Sequence, residues 1–132
     1  ILPGTNYTFS GTTITPASNY NGSLEVNVRV SDGTATSATF EVAVNVASVN
    51  DAPVITAQVP LSVNENSSIT LQLANFTVTD VDNNYPTGFS ITVQPGANYT
   101  FSGRTITPSL NFNGVLLVPI TVSDGTSNSN QY

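Results

Sequence analysis

Apolar residues occupy every second position from residue 24 to residue 30, and again along Phe40–Val46. Because successive side chains of a β-strand point to opposite faces, this period of two predicts two half-buried strands. No stretch of the chain has the 3.6-residue periodicity of an amphipathic helix. The pattern therefore indicates an all-β chain.

Shorter segments rich in β-branched residues, separated by Pro, Gly and Asn, predict further strands. They lie at residues 54–56, 61–64, 69–73, 89–94, 99–101, 105–107 and 116–122. About seven short strands within about 90 residues are typical of a Greek-key β-sandwich of immunoglobulin or cadherin-like type.

The hairpin between the two alternating strands has a constrained loop length. Inward-facing residues carry even numbers on both arms, so opposed pairs have even sums and an odd number of residues separates them. A plain two-residue turn on Asp32 and Gly33 is therefore excluded. We expect a three- or five-residue loop, or a bulge, with Gly33 supplying a positive φ angle.

The chain also contains an internal repeat, since residues 6–34 recur at residues 98–126 with 20 of 29 positions identical and an offset of 92 residues. A period near 90 residues suits a small domain and is too long for a solenoid unit. Residues 1–49 are predicted to be the C-terminal half of one repeat, and residues 50–132 the next repeat without its last strand. We expect that strand to be supplied by the continuing chain or by a neighbouring molecule.

Composition excludes several classes of function. The chain has no His, no Cys and no Lys, so it lacks an imidazole base, a thiolate nucleophile and the usual zinc ligands. The net charge of −6 disfavours nucleic acid and anionic lipid surfaces, and no apolar run approaches the roughly 20 residues of a membrane span. We expect a non-enzymatic extracellular protein, secreted or attached to the cell surface, with no direct membrane insertion.

A junction segment, residues 49–53, joins the two copies and reads Val-Asn-Asp-Ala-Pro. Residues 62–66 read Ser-Val-Asn-Glu-Asn, and residues 78–83 read Val-Thr-Asp-Val-Asp-Asn. The order and spacing of these three motifs resemble the cadherin repeat. The closest resemblance is to the bacterial cadherin-like tandem repeats of large surface adhesins, the extender repeats of RTX or VCBS type.

This resemblance implies calcium at the junction between repeats, held by Asn50, Asp51, Asp80 and Asp82, with Glu65 serving the following junction. Calcium takes six to eight oxygen ligands, and carboxylates and carbonyls supply them. The linker is shorter than the cadherin motif and has Ser48 where the first acid would stand, so we expect fewer than three ions. Asp and Asn are also common turn residues that bond their own backbone, which is the favoured interpretation for Asp32 and Asp124.

The sequence thus favours a stalk or extender segment of a long adhesin or fibre, stiffened by Ca2+ and contacting the neighbouring repeats of the same chain. A carbohydrate-binding accessory module and a filament assembled by β-strand donation are the alternatives, with glycan or homotypic contacts. The aromatic residues relevant to glycan binding are Tyr7, Phe9, Tyr20, Tyr99, Phe101 and Phe112. Packing in the core is the favoured interpretation of these side chains.

Overall fold

A computed structural model describes all 132 residues and contains eleven β-strands, one short 3-10 turn and no α-helix. The prediction of an all-β chain is confirmed. The chain divides into two compact units, Ile1–Val49 and Asn50–Tyr132, called unit 1 and unit 2 below.

Unit 1 contains two antiparallel strand pairs. Strand β1 (Tyr7–Ser10) pairs with β2 (Thr13–Pro16), and β3 (Gly22–Val28) pairs with β4 (Phe40–Val46). The buried core of this unit consists of only three residues, Tyr7, Leu24 and Val26.

The prediction of half-buried strands is confirmed for β3 and wrong for the first part of β4. Phe40 is 68% exposed and Val42 is 36% exposed, although both belong to the apolar face of the strand. Because the core of unit 1 is so small, nothing within this unit covers that end of β4.

The β3–β4 hairpin has the predicted even-sum register, since Val28 faces Phe40. Beyond the ladder, an isolated bridge joins Ser31 to Thr36. Between these two pairs the first arm has residues 29–30 and the second has residues 37–39, so the second arm carries a bulge. The bulge, the absence of a two-residue turn and the positive φ of Gly33, 94°, are confirmed.

Unit 2 contains seven strands and the 3-10 turn. They are β5 (Val54–Gln58), β6 (Ile69–Thr70), the 3-10 turn (Leu73–Asn75), β7 (Phe76–Thr79), β8 (Ser90–Val93), β9 (Tyr99–Ser102), β10 (Thr105–Pro108) and β11 (Ile120–Ser123). They form three antiparallel sheets: β5 with β7, β8 with β11, and a three-stranded sheet in the order β6, β10, β9.

The three sheets of unit 2 share one hydrophobic core. Its buried members are Ile55, Leu71, Phe76, Val78, Phe89, Ile91, Val93, Tyr99, Ile106, Ile120 and Val122. Full burial of a side chain of this size contributes roughly 1.5–3 kcal/mol. This core is therefore the main source of stability for the loops that it supports.

Some predicted strands differ from the observed ones. Residues 61–64 form no ladder, so the strand predicted there is wrong, and residues 116–122 become a strand only at Ile120. The strand predicted at 69–73 stops at Thr70. The backbone N–H of Gln72 donates to Asn75 Oδ1 at 2.6 Å, and the 3-10 turn begins at the next residue. Strand β7 was not predicted, although Phe76 and Val78 alternate with two exposed threonines.

A loop present in both units surrounds a buried tyrosine. The Tyr99 hydroxyl donates to the Gln94 carbonyl at 2.5 Å, and Tyr7 of unit 1 makes the same bond at 2.6 Å to the carbonyl five residues earlier. A Cβ added to Gly96 would stand 2.6 Å from the Tyr99 hydroxyl oxygen. Asn98 has a φ of 65°, a left-handed conformation in which Asn is enriched. These contacts explain why Gly, Asn and Tyr occupy the same three positions of the loop in both units.

Gly96→Ala is expected to destabilise unit 2 by about 1–3 kcal/mol, because the new methyl group displaces a ring packed in the core. Tyr99→Phe, which removes only the hydroxyl bond, is expected to cost about 1 kcal/mol. The two costs should be less than additive, since both changes break the same bond. Urea denaturation followed by the NMR signals of unit 2 measures each value.

The matched control combines Gly96→Ala with Tyr7→Phe, the same tyrosine change in the other unit. These two changes share no contact, so their costs should add. If the two stability costs were additive in the Gly96→Ala, Tyr99→Phe variant as well as in this control, the contact between Gly96 and the Tyr99 ring would be contradicted.

Candidate functional site

Three aspartates of this chain close a turn in the same way. One carboxylate oxygen, Oδ1, accepts the backbone N–H groups two and three residues later, at 2.9 and 2.8 Å for Asp32 and for Asp80. The corresponding distances at Asp124 are 2.6 and 2.7 Å. The turn interpretation is confirmed for Asp32 and Asp124, and it applies to Asp80 as well. In each case the second oxygen, Oδ2, is left for a different partner.

At Asp124 this second partner is the side chain of Asn50. The Asn50 amide nitrogen donates to Asp124 Oδ2 at 2.9 Å, and it also lies 3.2 Å from Ser127 Oγ and 2.9 Å from the Asp51 carbonyl. The tip of the hairpin that follows β11 is thereby attached to the first residue of unit 2.

The loop that follows β7 holds the same segment from a second direction. The Asn83 side-chain nitrogen donates to Asn50 Oδ1 at 3.2 Å and lies 3.4 Å from Asp80 Oδ1. The Asp51 backbone N–H donates to Asp82 Oδ2 at 2.7 Å. We call the connected set the junction network: Asn50, Asp51, Asp80, Asp82, Asn83, Asp124 and Ser127. It fixes both the backbone of residue 51 and the side chain of residue 50.

One atom of the junction network is unsatisfied. Asp80 Oδ2 is buried and has no hydrogen-bond partner. A buried carboxylate oxygen without a donor is costly, and a cation or a bound water is the kind of partner that removes the cost. In the observed arrangement, no three acidic side chains stand close enough together to hold a metal ion. The oxygen donors present nevertheless suit a hard cation such as calcium, which accepts carboxylates and backbone carbonyls alike.

The structure brings together four of the five residues that the sequence analysis selected as metal ligands. Asn50, Asp51, Asp80 and Asp82 all belong to the junction network. Glu65 lies apart, exposed in a turn between β5 and β6. Calcium binding by any of them stays a prediction.

Sequence analysis missed the other members of the network. Asp124 was predicted only as a turn residue, and neither Asn83 nor Ser127 was selected as part of a site. The Asn50–Asp124 pair spans 74 residues of sequence, and nothing local at either position indicates it. The one available signal was the recurrence of an Asp-Gly-Thr tip in both copies.

The junction network also lowers the pKa of Asp124. Three hydrogen bonds hold the pKa of Asp124 below its usual value of 3.8. In decreasing order of effect, their donors are the Ser127 N–H, the Asn50 side chain and the Thr126 N–H. The pKa of Asp32 is lowered by the N–H groups of Ala35 and Thr34, with no side-chain donor among the causes. A carboxylate whose pKa is lower in the folded state than in the unfolded state stabilises the fold at pH values above its unfolded-state pKa. This stabilisation is lost as the pH falls through the folded-state pKa.

Among the aromatic residues, core packing is confirmed for Tyr7 and Tyr99, which are buried. Tyr20 and Phe112 are half-buried. Phe9 and Phe101 are both 39% exposed, so they sit at the margin of the core and not inside it.

Two family models match the chain. The model described as bacterial Ig domain matches residues 50–132, and the model described as cadherin-like domain matches residues 5–47. No curated protein and no solved structure matches this chain. The expected β-sandwich and the expected bacterial cadherin-like repeat are confirmed, whereas the RTX or VCBS type is not distinguished.

Domains of these two kinds are typically non-enzymatic structural modules, and they usually occur in extracellular surface proteins. The structure contains no helix that is long and apolar enough to cross a membrane.

Asn50→Ala is expected to raise the pKa of Asp124, because it removes one of the donors that stabilise the ionised carboxylate. The pKa of Asp32 should stay unchanged, since Asn50 is not among its partners. Titration of the carboxyl 13C signals in the NMR spectrum measures both groups in one sample. The variant should therefore lose stability relative to the parent above about pH 4 and approach it at lower pH. Equal movement of both aspartates, or of neither, would contradict the role assigned to Asn50.

Proposed function

The chain belongs to the bacterial Ig domain family, and from that premise we propose that it is a stalk or extender segment of a long extracellular or surface-attached protein. Its work is mechanical: successive repeats hold a terminal domain at a distance from the cell. The partners of each repeat are then its neighbours in the same chain. Two copies in tandem, neither with catalytic groups such as His or Cys, agree with this role.

The junction network is the observation that carries the proposal. A stalk holds a terminal domain at a set distance only if the segment between repeats is stiff, because a flexible linker bends and shortens the span. Here the linker residues Asn50 and Asp51 are bonded to two separate loops of unit 2, one at Asp82 and Asn83 and the other at Asp124. The start of the repeat is thereby held to its body without any covalent staple.

We further propose that calcium completes the junction network at Asp80. The buried, unpartnered Oδ2 of Asp80 supports this proposal, since a cation there would satisfy it. Asp51, Asp82 and the side-chain oxygen Oδ1 of Asn50 are candidates for further ligands, because these residues already belong to the network. Bound calcium would neutralise clustered carboxylates and stiffen the linker. Glu65 is assigned by the same resemblance to a following junction.

Calcium is expected to raise the melting temperature of unit 2. A ligand that binds only the folded state adds RT ln(1 + [L]/Kd), about 2.7 kcal/mol at a hundredfold excess over Kd. Asp80→Asn should remove most of that shift while retaining the turn, because its amide oxygen still accepts the two backbone N–H groups. Magnesium should substitute poorly, since it demands octahedral geometry and releases its waters reluctantly. Differential scanning calorimetry in EDTA and in calcium measures each case.

Asp32→Asn is the matched control, because Asp32 makes the same turn outside the junction network. It should leave the calcium shift intact. Identical melting curves in EDTA and in calcium for the parent chain would overturn the calcium proposal. Stiffening is tested separately with one spin label in each unit. The distribution of label distances should narrow on addition of calcium, and an unchanged distribution would contradict stiffening by calcium.

A further inference from the structure

An open groove of about 380 Å³ lies on one side of unit 2. The base of the groove includes Leu71, Phe76 and Ile106, which belong to the buried core. Leu61 and Val63 line it as well, from the segment in which a strand was predicted and none formed. An apolar groove that reaches the core of a small domain requires a cover.

Residues 114–120 contribute five residues to the lining of the groove: Gly114, Val115, Leu116, Val118 and Ile120. With the offset of 92 residues, the segment 114–120 corresponds to Gly22–Val28, which is strand β3. In unit 1 all seven residues of β3 pair with β4, with Val26 opposite Val42 and Leu24 opposite Val44. The counterparts of these two β3 residues, Val118 and Leu116, both line the groove. The groove of unit 2 therefore lies where β4 lies in unit 1.

The first pair of the corresponding ladder already exists in unit 2. The Tyr132 N–H donates to the Ile120 carbonyl and the Ile120 N–H donates to the Tyr132 carbonyl, both at 3.1 Å. This pair is the counterpart of Val28 with Phe40 in unit 1. Tyr132 also lines the groove. Its backbone therefore directs any following residues antiparallel to residues 114–120.

We propose that this groove is the acceptor for a β-strand that continues directly from Tyr132 and carries apolar residues at every second position, as Phe40–Val46 does. The second and fourth residues after Tyr132 would face Val118 and Leu116. Such a strand would pair the open backbone edge of residues 114–119 and cover the groove with its apolar side chains. The proposal does not depend on calcium or on the junction network.

Supply within the same chain is favoured over supply by a second copy for two reasons. The Tyr132–Ile120 pair already holds the start of the strand in register, which gives it a high effective concentration. The two segments of this chain with clear apolar alternation lie along β3 and β4, and these two strands are already paired with each other in unit 1. Donation of either strand to another molecule would break a seven-residue ladder to make another one.

The test compares the 132-residue chain with a version extended after Tyr132 by the sequence of residues 41–49. In an antiparallel ladder, alternate residues direct their amides to the partner strand. The extension should therefore protect the amides of Leu116 and Val118 from hydrogen exchange, and leave that of Leu117 exchanging. The amides of Leu24 and Val26, paired already in unit 1, are the internal standard in the same sample. The melting temperature of unit 2 should rise together with this protection.

A matched control extension has the same composition, with each of its first three valines exchanged with the residue before it. This moves the apolar side chains to the outward face and should abolish both effects. Absence of protection at Leu116 and Val118 in the first extension would overturn the proposal. Supply of the strand by the same chain would be overturned by two results together: amide protection in the unextended chain that increases with protein concentration, and a dimer that persists when the extension is present. A second copy would then be the donor.

Discussion

A carboxylate has two oxygens, and at Asp124 one of them closes a turn while the other attaches that turn to Asn50. In Asp32, Asp80 and Asp124 alike, Oδ1 accepts hydrogen bonds from two backbone N–H groups. Their second oxygens differ: that of Asp124 binds Asn50, and that of Asp80 is buried without a donor. The same short motif thus forms a plain hairpin tip in one place and an anchor for the linker in another. The attachment of Asn50 to the hairpin that follows β11 depends on the second oxygen of Asp124.

The clearest strands were predictable because their pattern and their environment agree. Strand β3 alternates, and its inward residues Leu24 and Val26 are buried. Residues 61–64 also contain alternating apolar positions but form no ladder, because a strand needs a hydrogen-bonded neighbour that the pattern alone does not provide. Conversely, β7 carries a clear alternation at Phe76 and Val78. It was missed because Asn75 and the preceding 3-10 turn interrupt the apolar run that would have marked it.

The candidate site was predictable only in part, and the missing part is tertiary. The resemblance to cadherin-like repeats identified Asn50, Asp51, Asp80 and Asp82, and these residues do meet. It could not identify the contact between Asn50 and Asp124, since the two residues meet only after the whole of unit 2 has folded. At Asp80 the turn uses Oδ1 and leaves Oδ2 without a partner, so turn formation does not exclude a ligand there.

The two copies differ most where no core constrains them. Along β3 and its counterpart, the inward positions remain apolar in both units, as Leu24 and Val26 correspond to Leu116 and Val118. The outward positions change: Ser23 and Glu25 of unit 1 correspond to Val115 and Leu117 of unit 2.

Val115 is 86% exposed and Leu117 is 79% exposed, so the edge of unit 2 is apolar on both faces. Polar and charged outward residues protect an open edge from unwanted pairing, and unit 2 has lost them at these positions. An edge of this kind resists aggregation only when a neighbouring strand of its own repeat is paired with it. Its backbone N–H and C=O groups are then bonded and cannot pair with a strand of another molecule. The loss of outward polar residues is therefore consistent with a groove that is filled whenever the repeat stands in its full array.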